Sequence, residues 1–285
     1  MNKMRKLPVP TDNVKEVFNN CISNFQSQEL KNRFNLCEDE IANASLEFEL
    51  KAINNLTHTI ESQDKVAGVV TNVEMCKVYT DKMVKKSAPG RKFYDKYMAV
   101  PKNGICPFCG QRIVSTLDHY LPKMKYPALA VSPLNLIPAC KDCNKDKGEK
   151  EFANSGETLI HPYFDDIDNE VWLSANVLEE AEIAISFCVI KPEAWSDLLY
   201  ERVKNHFRLF GLNSLYSAHA AEEIENIRYM LVKLYKKAGS ELVKEYLKEY
   251  LESSERVQLN SWKTAMYRAL YENKWFWTQW IETLL

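Results

Sequence analysis

At 285 residues, with 46% hydrophobic residues and only 8 glycines, the chain is long enough to bury a sizeable core and reads as mainly helical. Its formal net charge of −2 excludes a uniformly basic nucleic-acid binder, yet the average hides a division: residues 76–150 carry 15 Lys or Arg against 6 Asp or Glu, and the remainder 22 against 33. The N-terminus, Met-Asn-Lys-Met-Arg-Lys, has no apolar stretch behind it, and no apolar run approaches the roughly 20 residues of a membrane span, so a cytoplasmic protein is expected.

From Thr11 to about Leu56, apolar residues recur at helical spacing: Val14, Val17, Phe18, Cys21, Ile22 and Phe25, then Leu46, Phe48, Leu50 and Ile53. This predicts two helices, the first capped by Thr11-Asp12. A third helix, from about Val69 to Lys86, stops at the breaker Ser87-Ala88-Pro89-Gly90. A short helix through Phe93, Tyr94 and Tyr97 then leads into a turn at Pro101-Lys102-Asn103-Gly104.

Ile113 to Leu117 is a brief β-favouring run that sets Asp118-His119 at a strand end. Pro122, Pro127 and Pro133 keep the following segment irregular. Leu134 to Ala139 gives a second short strand, and Cys143-Asn144 opens a polar, lysine-rich helix reaching about Phe152. Val171–Val177 and Glu182–Ile190 alternate as a hairpin, and helices return from Glu193 onward. The tail, with Trp262, Tyr267, Leu270, Trp275, Phe276, Trp277, Trp280 and Ile281, is an aromatic stripe suited to a core or to a partner's surface. Three regions are expected: a helical one over 1–100, a metal-stapled core over 101–165, and a hairpin with C-terminal helices over 166–285 offering a partner-docking surface.

Two tight pairs, Cys106-Pro107-Phe108-Cys109 and Cys140-Lys141-Asp142-Cys143, have the spacing of a closed tetrahedral Zn²⁺ site. The 30 residues between Cys109 and Cys140 exceed what a plain zinc ribbon needs, so the insert is expected to carry function. Cys21, Cys37, Cys76 and Cys188 have no partner at ligand spacing and read as buried or free thiols of a reducing compartment.

One zinc joining the two knuckles would bring Asp118, His119 and Asn144 together across 24 intervening residues. Hydrolysis of a phosphodiester needs an activated water and neutralised charge on the phosphate and the leaving 3′-oxygen. A neutral imidazole takes a proton near pH 7, which makes His119 the candidate general base. A Mg²⁺ ion keeps several waters and needs one or two hard protein oxygens, which the Asp118 carboxylate and the Asn144 amide can supply. Adjacent strand residues face opposite ways, so the strand is expected to end or distort at Asp118-His119. Arg91, Lys123, Lys125, Lys145 and Lys147 flank this centre as candidate phosphate contacts. His161, before Pro162, is an accessory candidate or a packed histidine.

The stretch Cys106-Pro-Phe-Cys109, Leu117-Asp-His-Tyr-Leu-Pro-Lys123 and Asn135-Leu-Ile-Pro-Ala-Cys140-Lys-Asp-Cys143-Asn144-Lys-Asp-Lys147-Gly148 resembles the HNH, or ββα-metal, nuclease superfamily. The resemblance implies a small ββα-metal core in a mainly α chain, with His119 as the base and Asp118 as a metal-binding acid. It gives Asn135 the part of the central Asn, whose amide ties the loop and orients the base. Asn144 stands where many members place a final His. The layout, with Gly90-Arg91 and Tyr94-Asp95 before the first knuckle and His161-Pro-Tyr-Phe after the helix, resembles HNH proteins of Septu-type and retron-linked anti-phage systems. That implies DNA as substrate and an ATPase subunit as partner. Two alternatives stay open: a zinc-stapled nucleic-acid-binding or scaffold protein that does not cut, and an HNH ribonuclease.

Overall fold

A computed structural model describes residues 6–180 and 182–285; most of the N-terminal segment read against a leader peptide lies outside the described residues. The chain divides into two compact units, one ending at Asp166 and one beginning at Ile167.

The first unit opens with three helices where two were expected: α1 (Val14–Ile22), α2 (Gln28–Asn35) and α3 (Glu38–Ile53). The cap of α1 is Asn13, which accepts from the Lys15 and Glu16 amides, and not Thr11-Asp12. Asp12 is engaged elsewhere, in an ion pair with Lys96 at 2.7 Å. A second cap, Ser27, accepts from the Leu30 amide and restarts the helix inside the stretch read as continuous. The apolar face Val17, Phe18, Cys21 and Ile22 is buried against Phe34, Ile41 and Met75.

A minimal hairpin, β1 (Lys65–Val66) with β2 (Val70–Thr71), precedes α4 (Asn72–Tyr79). The expected third helix therefore starts three residues late, because Thr71 and Glu74 form a reciprocal capping box there. A wide π turn, Thr80–Val84, prolongs it, and α5 (Arg91–Met98) follows. Glycine is required at Gly90, where a Cβ would lie 2.7 Å from the Lys82 carbonyl oxygen and 2.5 Å from Cys21 Sγ.

Next come β3 (Thr116–His119), β4 (Leu136–Ala139) and α6 (Lys141–Lys147). The strands pair antiparallel from Thr116↔Ala139 to His119↔Leu136, so the strand ends at His119 as expected, with the ladder regular up to that point and no distortion. Ile113, expected to begin this strand, instead bridges Ile105 across the first knuckle. Helix α6 stops at Lys147, short of the expected Phe152, because Gly148 takes a positive φ of 53°. Leu117 and Leu136 belong to the same core as the N-terminal helices. Two buried tyrosines clamp the pair of strands: Tyr79 OH donates to the Leu117 carbonyl at 2.5 Å and Tyr163 OH to that of Leu136 at 2.7 Å.

The second unit holds the expected hairpin, β5 (Leu173–Leu178) with β6 (Ala184–Val189), then α7 (Asp197–Leu209), α8 (Leu212–Ala238), α9 (Ser240–Val257) and α10 (Trp262–Glu272). Gly239, at φ 75°, separates α8 from α9. Much of the aromatic tail goes into the core: Tyr267, Leu270, Phe276, Trp277, Trp280 and Ile281 are buried, while Trp262 and Trp275 are half-buried. Among the described residues, no helix is long and apolar enough to cross a membrane.

Candidate metal centre

The ligand atoms of Cys106, Cys109, Cys140 and Cys143 all lie within 4.8 Å of one another, and all four residues are buried. Zn–S bonds of about 2.3 Å in a tetrahedron require S···S separations of about 3.8 Å, so the cluster has the size of a Zn²⁺ site. Each knuckle shows a backbone N–H turned to sulfur: Arg112 N to Cys109 Sγ and Cys143 N to Cys140 Sγ, both at 3.3 Å. Arg112 also pairs with Asp142 at 3.0 Å, joining the two knuckles outside the sulfurs. Hydrogen bonding among the thiols, with Cys106 the strongest influence, holds Cys109 far below the ordinary thiol range and Cys140 at about 7. The same bonding pushes Cys106 and Cys143 upward. Four buried thiols bonded to one another in this way suit a dication that takes all four as thiolates.

Cys140 also caps α6, its sulfur accepting from the Cys143 amide. The four-cysteine cluster therefore fixes how α6 meets β3. Asn144 Nδ2 donates to Thr116 Oγ1 at 3.0 Å, and Lys147, three residues on, brings its Nζ to 3.4 Å from Asp118 Oδ2. Thr116 and Asp118, two apart in β3, share the strand face that these residues meet. The acid and the amide thus come to one side.

Asp118 is 7% exposed. Its Oδ1 accepts the His119 N–H at 2.7 Å, while Oδ2 is buried and receives no hydrogen bond, the Lys147 ammonium being close but not aligned to donate. Burial pushes the Asp118 pKa up to about 6, against the opposing charge of Lys147. An under-satisfied carboxylate oxygen of this kind fits a hard cation.

His119 starts from the other face of β3 but is the last residue of the strand, and the charges of Lys123 and Lys147 act on its ring as they act on Asp118. Its ring nitrogen Nε2 is 2.8 Å from the Ala130 carbonyl oxygen, and the ring meets Tyr79 edge-on at 4.4 Å. A carbonyl can only accept, so Nε2 carries the proton and Nδ1 the lone pair. Burial, aided by the charge of Lys123, pulls the His119 pKa down to about 3, which keeps the ring neutral. Asn135, fully buried, accepts the Leu121 N–H at 2.7 Å and donates to Leu121 O at 3.0 Å and Leu129 O at 3.3 Å. Its amide closes the loop that presents Ala130 to the imidazole.

The flanking cations separate. Lys147, placed by sequence among phosphate contacts, is 1% exposed and turned to Asp118 and the Gly148 carbonyl. Lys125 is paired with Glu151, and Arg91 with Asp95 and the Val84 carbonyl. Lys145 is exposed. Lys123 lies 5.7 Å from the Tyr79 ring centre, and its charge acts on both Asp118 and His119. His161 is packed among Phe48, Tyr120, Tyr163 and Phe164. The support given by Tyr79 and Thr116 was not anticipated: both are contacts made by tertiary packing. The position of Lys147 did leave a trace, since an i, i+3 spacing puts it on the Asn144 face of α6.

No family model matches the chain, and no solved structure matches it. Over 293 residues it is 30% identical to Protein ea31 of Escherichia phage lambda, an alignment covering 96% of this chain and 99% of that protein. Over 87 residues it is 31% identical to the Septu protein PtuB of Bacillus thuringiensis, covering 29% of this chain and 33% of PtuB.

Proposed function

We propose that this chain, which belongs to the family of Protein ea31 of Escherichia phage lambda, is a zinc-stapled, metal-dependent endonuclease of the ββα-metal type. The observation that carries the reading is the buried Asp118 Oδ2, without a hydrogen-bond donor, on the strand face that Asn144 also reaches. Cys106, Cys109, Cys140 and Cys143 hold a structural Zn²⁺ and so set the position of α6. A Mg²⁺-like cation held by the Asp118 carboxylate and the Asn144 amide oxygen would neutralise charge on the phosphate and the leaving 3′-oxygen.

The protein's own groups do the rest. The Ala130 carbonyl keeps the His119 proton on Nε2, so that Nδ1 takes the proton of the attacking water. Asn135 holds the loop that carries this carbonyl. Lys123 offers a charge to the scissile phosphate, and the basic segment 76–150 attracts the polyanion. The family resemblance favours DNA as the substrate. The similarity to the Septu protein PtuB supports a place in anti-phage defence, where the resemblance implies an ATPase subunit as partner.

A second reading, a zinc-stapled scaffold that binds nucleic acid without cutting it, is favoured by one observation: the Lys147 ammonium already stands beside Asp118. Plasmid DNA and a matched RNA, incubated with Mg²⁺ or with EDTA, decide between the two. Mg²⁺-dependent cleavage reduced about 10²–10⁴-fold in His119→Ala is expected. Cleavage indifferent to that substitution removes His119 as base, and binding without cleavage selects the scaffold.

A further inference from the structure

Lys147 is the last residue of α6, and its Nζ lies 3.4 Å from the carboxylate oxygen that no donor satisfies. Asn144, on the same helix face, is anchored to Thr116, two residues before Asp118. A cation held between Asp118 and Asn144 therefore falls within a few ångströms of the ammonium. Lys147 is 1% exposed, so little solvent screens the repulsion.

We propose that Lys147 is a built-in counter-ion that competes with the divalent cation for Asp118, so that the cation loads weakly until a polyanion draws the lysine away. The inference rests on the reading that Asp118 and Asn144 bind that cation. The lysine is placed to leave. It ends its helix, Gly148 follows at φ 53°, and its other hydrogen bond goes to the adjacent Gly148 carbonyl at 3.2 Å, not to a distant element. Four methylenes give the ammonium reach without backbone movement. Binding of nucleic acid and loading of the cation then become one linked event, each favouring the other. A site of this kind stays idle in the presence of free Mg²⁺ and is completed by its substrate.

The test titrates Mn²⁺ alone into the zinc-loaded full chain and follows free Mn²⁺ by electron paramagnetic resonance. Lys147→Met, which removes the charge and keeps most of the stem, is expected to bind Mn²⁺ about tenfold more tightly than wild type. Lys147→Arg should resemble wild type, and Asp118→Asn should bind little in either background. In a His119→Ala background, a DNA oligonucleotide should tighten Mn²⁺ binding, and should do so far less once Lys147→Met is added. Equal or weaker Mn²⁺ binding by Lys147→Met overturns the proposal. Should that variant fail to fold, judged by zinc content, the wild type serves: Lys147 should resist reductive methylation in the metal-free site and become reactive as Mn²⁺ saturates, and unchanged protection overturns it. Cleavage is not a readout here. A chain that cuts nothing can still show the lysine effect, and a chain that cuts through His119 can lack it.

Discussion

Asn135 and His119 hold one loop at consecutive carbonyls: the Asn135 amide donates to Leu129 O at 3.3 Å and the His119 ring to Ala130 O at 2.8 Å. The imidazole is therefore oriented through the backbone, with no contact needed between the two side chains. Asn135→Ala would strip partners from the Leu121 N–H and from two carbonyls in a fully buried site. A loss of about 2–4 kcal/mol is expected in urea denaturation. Nitrogen NMR of His119 should show the Nε2-protonated form giving way to a tautomer mixture. A cost under about 1 kcal/mol would mean that the loop is held by other groups.

The four cysteines give the second prediction. Elemental analysis should find close to one zinc per chain, and Cys140→Ser should abolish it. Because Cys140 both ligates and caps α6, the loss of stability should be on the order of 5 kcal/mol. Retained zinc in that variant would exclude the tetrathiolate.

How much of this could be read beforehand follows from the range of each signal. Two CxxC turns are local patterns, and the pairing of β3 with β4 follows from the apolar runs on either side of the proline-rich loop. Asp118 and His119 were legible as a pair at a strand end but not in their surroundings, because the charges of Lys123 and Lys147 that act on both are brought there by tertiary packing. Asn13 escaped as a cap because Thr11-Asp12 offered an equally good local signal, and Ser27 because the apolar spacing runs across the break that it marks. The fate of Lys147 was the hardest to foresee. A lysine in a polar helix is normally solvated, and this one is buried by the same α6 placement that the four-cysteine cluster sets.

Acid titration should expose the opposed pair at the centre. His119 is held at about 3, below its ordinary 6.5, so between those values the unfolded chain takes up a proton that the folded chain refuses, and stability falls as pH falls. Asp118 is held at about 6, above its ordinary 3.8, so from pH 6 to 3.8 the folded chain keeps a proton that the unfolded chain releases, and stability rises as pH falls. The two slopes cancel in that window. In zinc-loaded protein without other divalent cations, Asp118→Asn should leave the His119 slope unopposed. Its stability relative to wild type should then decline by up to about 1.4 kcal/mol per unit from pH 6 to 4, measured by urea midpoints. A constant difference would show that Asp118 is not perturbed in this way, while a flat His119 slope in Asp118→Asn itself would show the same of the imidazole.

Lys123 and Lys125 should behave differently in nucleic-acid binding. Lys123 is half-buried beside both site residues, while Lys125 is already paired with Glu151. In fluorescence anisotropy between 50 and 200 mM salt, Lys123→Ala should reduce the salt slope of the affinity by about one, and Lys125→Ala should change it little. Equal slopes in all three proteins would move the phosphate path away from Lys123.

The tyrosine clamps on β3 and β4 have a consequence for the purity of this small sheet. In the ladder, Leu117 and Leu136 point their backbone groups outward, where a stray chain could add itself as a third strand. Tyr79 and Tyr163 occupy those carbonyls, and Pro138, paired with Leu117, has no N–H to offer an intruder. Each margin of the hairpin thus carries a blocked carbonyl, within a unit that buries Leu117 to His119 and Leu136 to Ala139, so the two-stranded sheet stands alone with its helix.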